Sequence, residues 1–295
     1  MKKLALVGIG KWGKTLLKEF NDISVVTLCY STGDNQNIKW LKKNYPKITH
    51  TENFDDILNS NVDGVIVATP INTHFEIVKK LLNNDKHVFV EKPLATKKSD
   101  ASKLISLANK KKLVLFVGQI FLYHPVLTKI KSILKNDSIQ FIHFEWKKFG
   151  TFNENIYYNL LSHDLSIILD LFGMPKKPKV LFKHGTVTST DNVILTFDFN
   201  KNKKCLIHID RFANVITKSV KFETKNKILL WNDNELFEYD EQKQKYVLIF
   251  NSKKMSLEIE CKQFLKILKN SDYQKNHLEI AYNVVQILED LQKQM

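Results

Sequence analysis

The most constraining feature of this chain is its first thirteen residues. Leu4-Ala5-Leu6-Val7 runs directly into Gly8-Ile9-Gly10-Lys11-Trp12-Gly13, a complete G-x-G-x-x-G turn. An apolar strand that ends in this turn and is followed by an amphipathic helix is the opening of a βαβ unit shaped around a diphosphate. Gly8 permits the tight exit from the strand, Gly10 lets backbone approach a phosphate, and Gly13 lets the helix pack on the strand. The helix is expected over about residues 12–20, with Leu16, Leu17 and Phe20 on its apolar side. Its unpaired N–H groups and positive dipole end then face the phosphates. Val25 to Tyr30 reads as the second strand.

Strand and helix signals keep alternating after that point, which predicts a parallel sheet covered on both faces. Gly64 to Ala68, His87 to Val90 and Val114 to Gly118 read as buried strands. Helices are expected after Thr73-His74, through Ile77, Val78, Leu81 and Leu82, and from about Ser99 to Lys110. In such sheets ligands bind at the carboxyl ends of the strands. The polar groups Ser31-Thr32, Ala68-Thr69-Pro70 with Thr73-His74, Glu91-Lys92 and Gln119 all fall there. Together with the glycine turn they form the candidate cofactor set: Gly8, Ile9, Gly10, Lys11, Trp12, Gly13, Ser31, Thr32, Ala68, Thr69, Pro70, Thr73, His74, Glu91, Lys92 and Gln119. The second strand lacks the terminal carboxylate that would bind an adenosine ribose and repel a 2′-phosphate. Ser31-Thr32-Gly33 stands there instead, with Asp34 late, so the cofactor expected is NAD or NADP, with NADP favoured. Lys39 or Lys42 could meet a phosphate, and Asp34 could instead bend back to the ribose.

The rest of the chain has a different rhythm. A helix near Pro125 to Leu134 leads to a strand from Ile139 to Trp146, and a helix from Asp164 to Phe172 stops at Gly173-Met174-Pro175. Strand-like runs follow at 180–183, 192–199, 205–211, 220–222, 228–231, 236–239 and 246–250, at hairpin spacing, before helices near 256–268 and 277–292. Lys201, Lys203 and Lys204 fall in an expected hairpin turn. The fold class expected is α/β: a doubly wound Rossmann domain over 1–119, then an α+β domain over 120–295 with a large, mainly antiparallel sheet.

With 295 residues and a formal charge of +14, a polyanion-binding role has to be weighed. The cations are spread along the whole length and few are arginine, which argues against a nucleic-acid partner. No stretch is long and apolar enough for a membrane span. The opening Met1-Lys2-Lys3 is too quickly interrupted, at Gly10-Lys11, to be a secretory leader. Cys29, Cys205 and Cys261 lie far apart, so neither a metal knuckle nor a disulfide framework is expected, and a cytoplasmic location follows.

Several stretches in order carry a family likeness: Val7 to Lys14, Ala68-Thr69-Pro70 with Thr73-His74, Glu91-Lys92-Pro93-Leu94, and His163-Asp164-Leu165. Together they resemble the Gfo/Idh/MocA oxidoreductases, the group of glucose–fructose oxidoreductase and inositol dehydrogenase. Gly118 to Pro125 and Leu161 to Ile168 look like its nucleotide-sugar branch. The resemblance implies reversible hydride transfer between nicotinamide and a sugar carbon, in glycan-precursor synthesis. It also implies a homodimer or homotetramer built through the second domain's sheet. Other reactions known in the wider family, reduction of an imine, a cyclitol or a linear tetrapyrrole, stay open, as does a cofactor-binding sensor or subunit without turnover.

Oxidising a secondary alcohol needs a base for the hydroxyl proton. Lys92 is a candidate, because burial beside a cationic ring disfavours its ammonium form and Pro93 fixes its backbone. His163 titrates in the useful range and matches the family's acid/base position. Asn159 stands where many relatives place aspartate; its amide can orient a hydroxyl or the imidazole but cannot take a proton. Asp164 is read as a favourable charge at a helix start. Trp146 replaces the arginine frequent in the sugar-linked branch. Lys92, Tyr123, Asn159 and His163 form the expected substrate set, with weaker expectations for His124, Tyr157 and Tyr158.

Overall fold

A computed structural model describes residues 1–176, 178–200, 203–270 and 275–293. Of the basic turn expected near 201–204, Lys201 lies outside the described residues. The chain divides into two compact units. One comprises Met1–Gln119 with Leu257–Glu289; the other comprises Ile120–Ser256 with the end of the chain from Asp290.

The first unit is built on a six-stranded sheet. In chain order its elements are β1 (Lys3–Val7), α1 (Lys11–Ile23), β2 (Val25–Tyr30), α2 (Asn35–Asn44), β3 (Thr49–Thr51), α3 (Phe54–Asn59), β4 (Gly64–Val67), α4 (Ile71–Asn83), β5 (Val88–Glu91), α5 (Lys98–Lys111) and β6 (Leu115–Gly118). The strand order is β3-β2-β1-β4-β5-β6 and every pairing is parallel. Strands β4, β5 and β6 are buried along their whole length, as a sheet covered on both faces requires. On one face Ala5, Val7, Val65, Val67, Val88 and Val90 pack with α4 and α5. On the other, Phe20 from α1 meets Phe89 edge-on at 5.3 Å, and Phe89 stacks on Phe116 at 5.3 Å.

Two late helices complete these layers, α8 (Ser256–Asn270) and α9 (Lys275–Gln292). Phe264 of α8 joins the aromatic group, 5.9 Å from Phe20 and 5.6 Å from Phe89. Leu278, Ala281 and Val285 of α9 enter the valine-rich core. A sequence division at 119/120 assigns both helices to the second domain, whereas they cluster with the first. Hydrophobic periodicity records that a helix has a buried face but not which core receives it.

The segment between Tyr30 and Gly64 holds three elements, α2, β3 and α3, to which the sequence pattern assigns nothing. Helix α2 buries only Ile38 and Leu41, and β3 is three polar residues at the sheet edge.

The second unit begins with a 3₁₀ turn (Ile120–Tyr123) and α6 (Pro125–Ile133). After β7 (Ile139–Lys147), a π-turn (Tyr157–Leu161) runs directly into α7 (Ser162–Phe172). The remaining strands are β8 (Lys179–His184), β9 (Asn192–Asp198), β10 (Lys204–Asp210), β11 (Thr217–Thr224), β12 (Ile228–Asn232), β13 (Glu235–Asp240) and β14 (Lys245–Asn251). They form one eight-stranded sheet in the order β14-β13-β12-β11-β7-β10-β9-β8. Only β7 and β10 run parallel; the other pairs are antiparallel. Burial alternates along β9, β10 and β12, so one face is a core and the other is more open. Ile142, Phe144, Val220, Phe222, Ile207 and Leu195 line the buried face. Helix α7 lies there, joined through Trp146–Asp164 and Phe172–Phe199. Among the described residues, no helix is long and apolar enough to cross a membrane and no cluster of metal-ligating side chains occurs.

Candidate functional site

The six glycine-turn residues sit between β1 and α1, and the space around them differs glycine by glycine. Gly8 adopts φ +93°, and a Cβ there would lie 2.8 Å from the Ala68 carbonyl oxygen. A Cβ on Gly13 would lie 2.1 Å from the Gly8 carbonyl oxygen. Around Gly10 a Cβ would meet nothing within 4 Å. The first and third glycines are therefore demanded by the protein's own packing. The second leaves open space at the start of a thirteen-residue helix whose N-cap makes no side-chain bond. An anion placed there meets unengaged N–H groups and the positive end of the helix dipole. These residues fit a dinucleotide.

At the end of β2, Ser31 is buried, its hydroxyl accepting from Gly33 N at 3.3 Å, and Thr32 is exposed. Asp34 does not turn back toward the strand end. Its carboxylate accepts from Gln36 N at 2.7 Å and caps α2. The hydroxyl-for-carboxylate substitution noted in the sequence thus stands in three dimensions.

Two loops beside this turn are tied together by His74. Its Nδ1 lies 2.9 Å from the Pro93 carbonyl oxygen and its Nε2 lies 2.9 Å from that of Thr69. The ring is 1% exposed, and burial pushes its pKa down, with the charge of Lys92 acting the same way against the two carbonyls. His74 therefore lies between the Thr69 and Pro93 loops with a backbone carbonyl beside each ring nitrogen, and the neutral ring, with one N–H, donates to one of the two at a time. The Thr73 hydroxyl donates to the Pro70 carbonyl at 2.7 Å and lies 2.8 Å from Thr69 Oγ1, whose proton it can accept, fixing the start of α4.

Glu91 is also turned inward. Burial raises its pKa to about 7, against the indole N–H of Trp12, which donates to its carboxyl group, and the charge of Lys92. Glu260 of α8 is 1% exposed, and burial with the nearby Glu91 drives its pKa up. Gln119 is 3% exposed and its Oε1 has no partner, an acceptor left open at the same sheet end. Lys92 is partly buried and precedes Pro93 across a cis peptide bond.

In the second unit, Tyr123 closes the 3₁₀ turn, and His124 caps α6 by accepting from Val126 N through Nδ1 at 3.2 Å. Burial, then the charge of Lys218, pushes the His124 pKa down to about 4. It stays neutral and structural. Tyr157 is 2% exposed and Tyr158 donates from its hydroxyl to Gln292; both belong to the frame of the unit. Asn159 lies inside the π-turn, where its amide donates to Glu154. The wide turn leads directly into the helix that carries His163; such π turns are frequent at functional sites. His163 is partly buried and its ring meets Phe121 edge-on at 4.9 Å.

Asp164 departs most from expectation. It is 2% exposed and accepts from Trp146 Nε1 at 3.0 Å through Oδ1, while Oδ2 has no partner. Burial raises its pKa to about 7, against the Trp146 hydrogen bond and the charge of Lys218. The residue stands in the first turn of α7, as the sequence suggests, but as a buried carboxyl group that holds its proton up to about pH 7. Sequence reading assigns no role to Lys218 or Trp231, and marks Phe121 only as part of the Gly118–Pro125 stretch; only sheet register brings Lys218 opposite Trp146.

Residues 2–119 match the family model described as the oxidoreductase family, NAD-binding Rossmann fold (Gfo/Idh/MocA). An uncharacterised oxidoreductase of Schizosaccharomyces pombe is 32% identical over 147 residues, 44% of this chain and 40% of that protein. The dTDP-3,4-didehydro-2,6-dideoxy-α-D-glucose 3-reductase of Saccharopolyspora spinosa is 38% identical over 79 residues, 27% of this chain and 24% of that protein. The chain thus spans two fifths or less of the length of these curated relatives. In fold it matches the UDP-N-acetylglucosamine 3-dehydrogenase of Acidithiobacillus ferrooxidans, with TM-score 0.88 and 19% identity over 99% of this chain and 96% of that one.

Proposed function

We propose that this chain, whose residues 2–119 carry the Gfo/Idh/MocA NAD-binding Rossmann fold, is an NAD(P)-dependent oxidoreductase acting on a sugar or nucleotide-linked sugar. Bound nicotinamide would accept or return a hydride at a hydroxyl or keto carbon. The observation that carries the reading is the glycine turn, closed to any side chain at Gly8 and Gly13 and open at Gly10. The dTDP-sugar and UDP-sugar enzymes among the relatives support the substrate class.

In this reading the backbone around Gly8–Gly13 holds the diphosphate, and Ser31 and Thr32 take the adenosine end. Because Asp34 is engaged in capping α2, no carboxylate opposes a 2′-phosphate there, and NADP is favoured. Thr69, Thr73 and Gln119 line the same sheet end, with His74 and Glu91 bracing the loops that carry them. Lys92 and His163 handle the hydroxyl proton, as base in oxidation and acid in reduction. Asn159 positions the substrate or the imidazole, and Tyr123 contacts the substrate. Assembly through the open face of the eight-stranded sheet, where Leu248 is 47% exposed, belongs to the same proposal. Light scattering on the purified protein measures it.

The test is a panel of UDP- and dTDP-linked sugars with NAD⁺ and NADP⁺, followed by nicotinamide absorbance. Turnover with one class, abolished in Lys92→Ala and His163→Ala while cofactor titrations are unchanged, supports the reading. Failure to bind either reduced cofactor at millimolar concentration overturns it.

A further inference from the structure

Lys218 occupies an unusual place for a lysine. It lies on the buried face of β11, in line with Val220 and Phe222, directly opposite Trp146 of β7. Its ammonium sits 4.3 Å from the Phe121 ring centroid and 4.5 Å from that of Trp146. Aromatic faces stabilise a cation but accept no ordinary hydrogen bond. Among the described residues, no carboxylate or carbonyl oxygen bonds to Nζ. Asp233 and Asp164 act on it only through space, and burial pushes its pKa down despite them.

Lys218 is partly buried, and a partly desolvated ammonium with no protein acceptor is costly unless something pairs with it. The neighbours do not supply that partner. Asp164 spends Oδ1 on Trp146 and leaves Oδ2 unbonded rather than closing on the lysine. Trp231, 6.1 Å from Phe121 and 4.8 Å from His124, closes the cluster with another aromatic surface, and His124 spends its Nδ1 on the α6 cap. Phe121 also meets His163, at 4.9 Å. The cation and the imidazole thus share one phenyl ring as a neighbour within a single unit.

We propose that Lys218 anchors an oxyanion of the substrate, a phosphate or a carboxylate oxygen, and so sets which carbon is presented to His163. The proposal rests on the oxidoreductase reading and deepens it by naming an anionic substrate class. An oxyanion converts the unspent donors into charge-assisted hydrogen bonds, and the aromatic walls exclude the water that would weaken them. It also accounts for Trp146. The cation that the family resemblance leads one to expect at position 146 is delivered from the facing position on the neighbouring strand.

The experiment compares wild type, Lys218→Met and Lys218→Arg, each with NADPH present. Three probes are titrated by calorimetry: UDP-N-acetylglucosamine (diphosphate), D-glucuronate (carboxylate) and N-acetylglucosamine (neutral). Expected is binding of one anionic probe to wild type, weakened about tenfold or more in Lys218→Met and largely restored in Lys218→Arg. The neutral probe and NADPH should bind all three proteins alike. Because methionine removes an uncompensated cation from an aromatic pocket, the ligand-free variant should melt no lower than wild type, which separates lost binding from lost folding. Lys218→Met binding both anionic probes as wild type does would overturn the proposal, as would wild type binding neither. If no sugar of the panel is turned over while anion binding still depends on Lys218, the sugar-oxidoreductase reading fails and this one stands. Which anionic probe responds separates a nucleotide diphosphate from a sugar carboxylate.

Discussion

Trp146 Nε1 donates a 3.0 Å hydrogen bond to Oδ1 of Asp164, a carboxyl group that is 2% exposed and unpartnered at Oδ2. This single bond joins the middle strand of the large sheet to the helix that carries His163. The burial of this carboxyl group makes the unit sensitive to pH. Burial raises the Asp164 pKa from the usual carboxylate range to about 7, so between about pH 4 and pH 7 the folded state holds a proton the unfolded state has released. Its contribution is present below the unfolded pKa and is lost as pH rises through the folded one, by at most ~1.4 kcal/mol per pH unit. Asp164→Asn keeps an acceptor for Trp146 and removes the titration. Urea unfolding across this range should show wild type losing stability relative to the variant as pH rises; parallel curves would refute the assignment.

Gly10 and Gly13 should separate binding from folding. Gly13→Ala drives a methyl group into the Gly8 carbonyl at 2.1 Å and should lower stability by ~2 kcal/mol or more through backbone displacement. Gly10→Ala meets no protein atom within 4 Å. Its melting temperature should stay near wild type while NADPH affinity falls about tenfold or more, because the methyl occupies ligand space. Thermal melts and cofactor fluorescence titrations distinguish the two. Equal effects of both changes on stability would contradict the geometry.

Arg211, the only arginine in the sequence, organises a loop cluster. It donates to the Thr151, Glu154 and Thr190 carbonyls at 2.7, 2.8 and 2.7 Å and to the Thr188 hydroxyl at 3.0 Å, and lies 3.4 Å from Asp191. Asp191 accepts the N–H groups of Thr186, Val187 and Thr188. Burial alone would raise the pKa of Asp191, but the Thr188 hydroxyl and these N–H groups outweigh it and hold the carboxyl well below its ordinary range. Arg211→Met should cost about 3 kcal/mol or more in urea unfolding, because the Thr151, Glu154 and Thr190 carbonyls lose their donor together. Because Asp191 has a depressed pKa, its stabilisation is present above about pH 4 and lost as pH falls below that value. Asp191→Asn should flatten the acid limb of the stability curve.

Asn159 and Glu154 form a pair whose character one atom could change. The amide donates to the Glu154 carboxylate; Asn159→Asp replaces that donor with a like charge. Stability should drop by ~1 kcal/mol at neutral pH and recover in the Glu154→Gln/Asn159→Asp protein. In the relieved double variant, a carboxylate stands four residues before His163, and kcat should equal or exceed that of wild type. A kcat well below wild type in a stable double variant would show that the amide itself is required.

Much of the first unit is legible in the sequence because its signals are local. Val65-Ile66-Val67 and Val88-Phe89-Val90 are short apolar runs bounded by polar residues, and a parallel buried strand has no simpler code. The helices and hairpin strands of the second unit announce themselves by period for the same reason. Elements with few buried residues escape: α2 has only Ile38 and Leu41 to mark it. Among candidate site residues, the positions at strand ends could be named, but the direction of a side chain could not. His74, in the first turn of α4, and Glu91, the last residue of β5, stand at the strand ends so named, but both are buried.

The chain's order of apolar runs, glycines and turn residues by itself determined that a parallel sheet would present a glycine turn at its ligand end, because strand burial and backbone clearance are set within a few neighbouring positions. Tertiary structure alone decided that α8 and α9 return to the first core, that Asp164 is a buried acid held by Trp146, and that Lys218 lies between two aromatic faces. Each of these depends on residues distant in sequence meeting across a sheet register or a helix face. The energy of such meetings, desolvation above all, belongs to the pair and not to either residue.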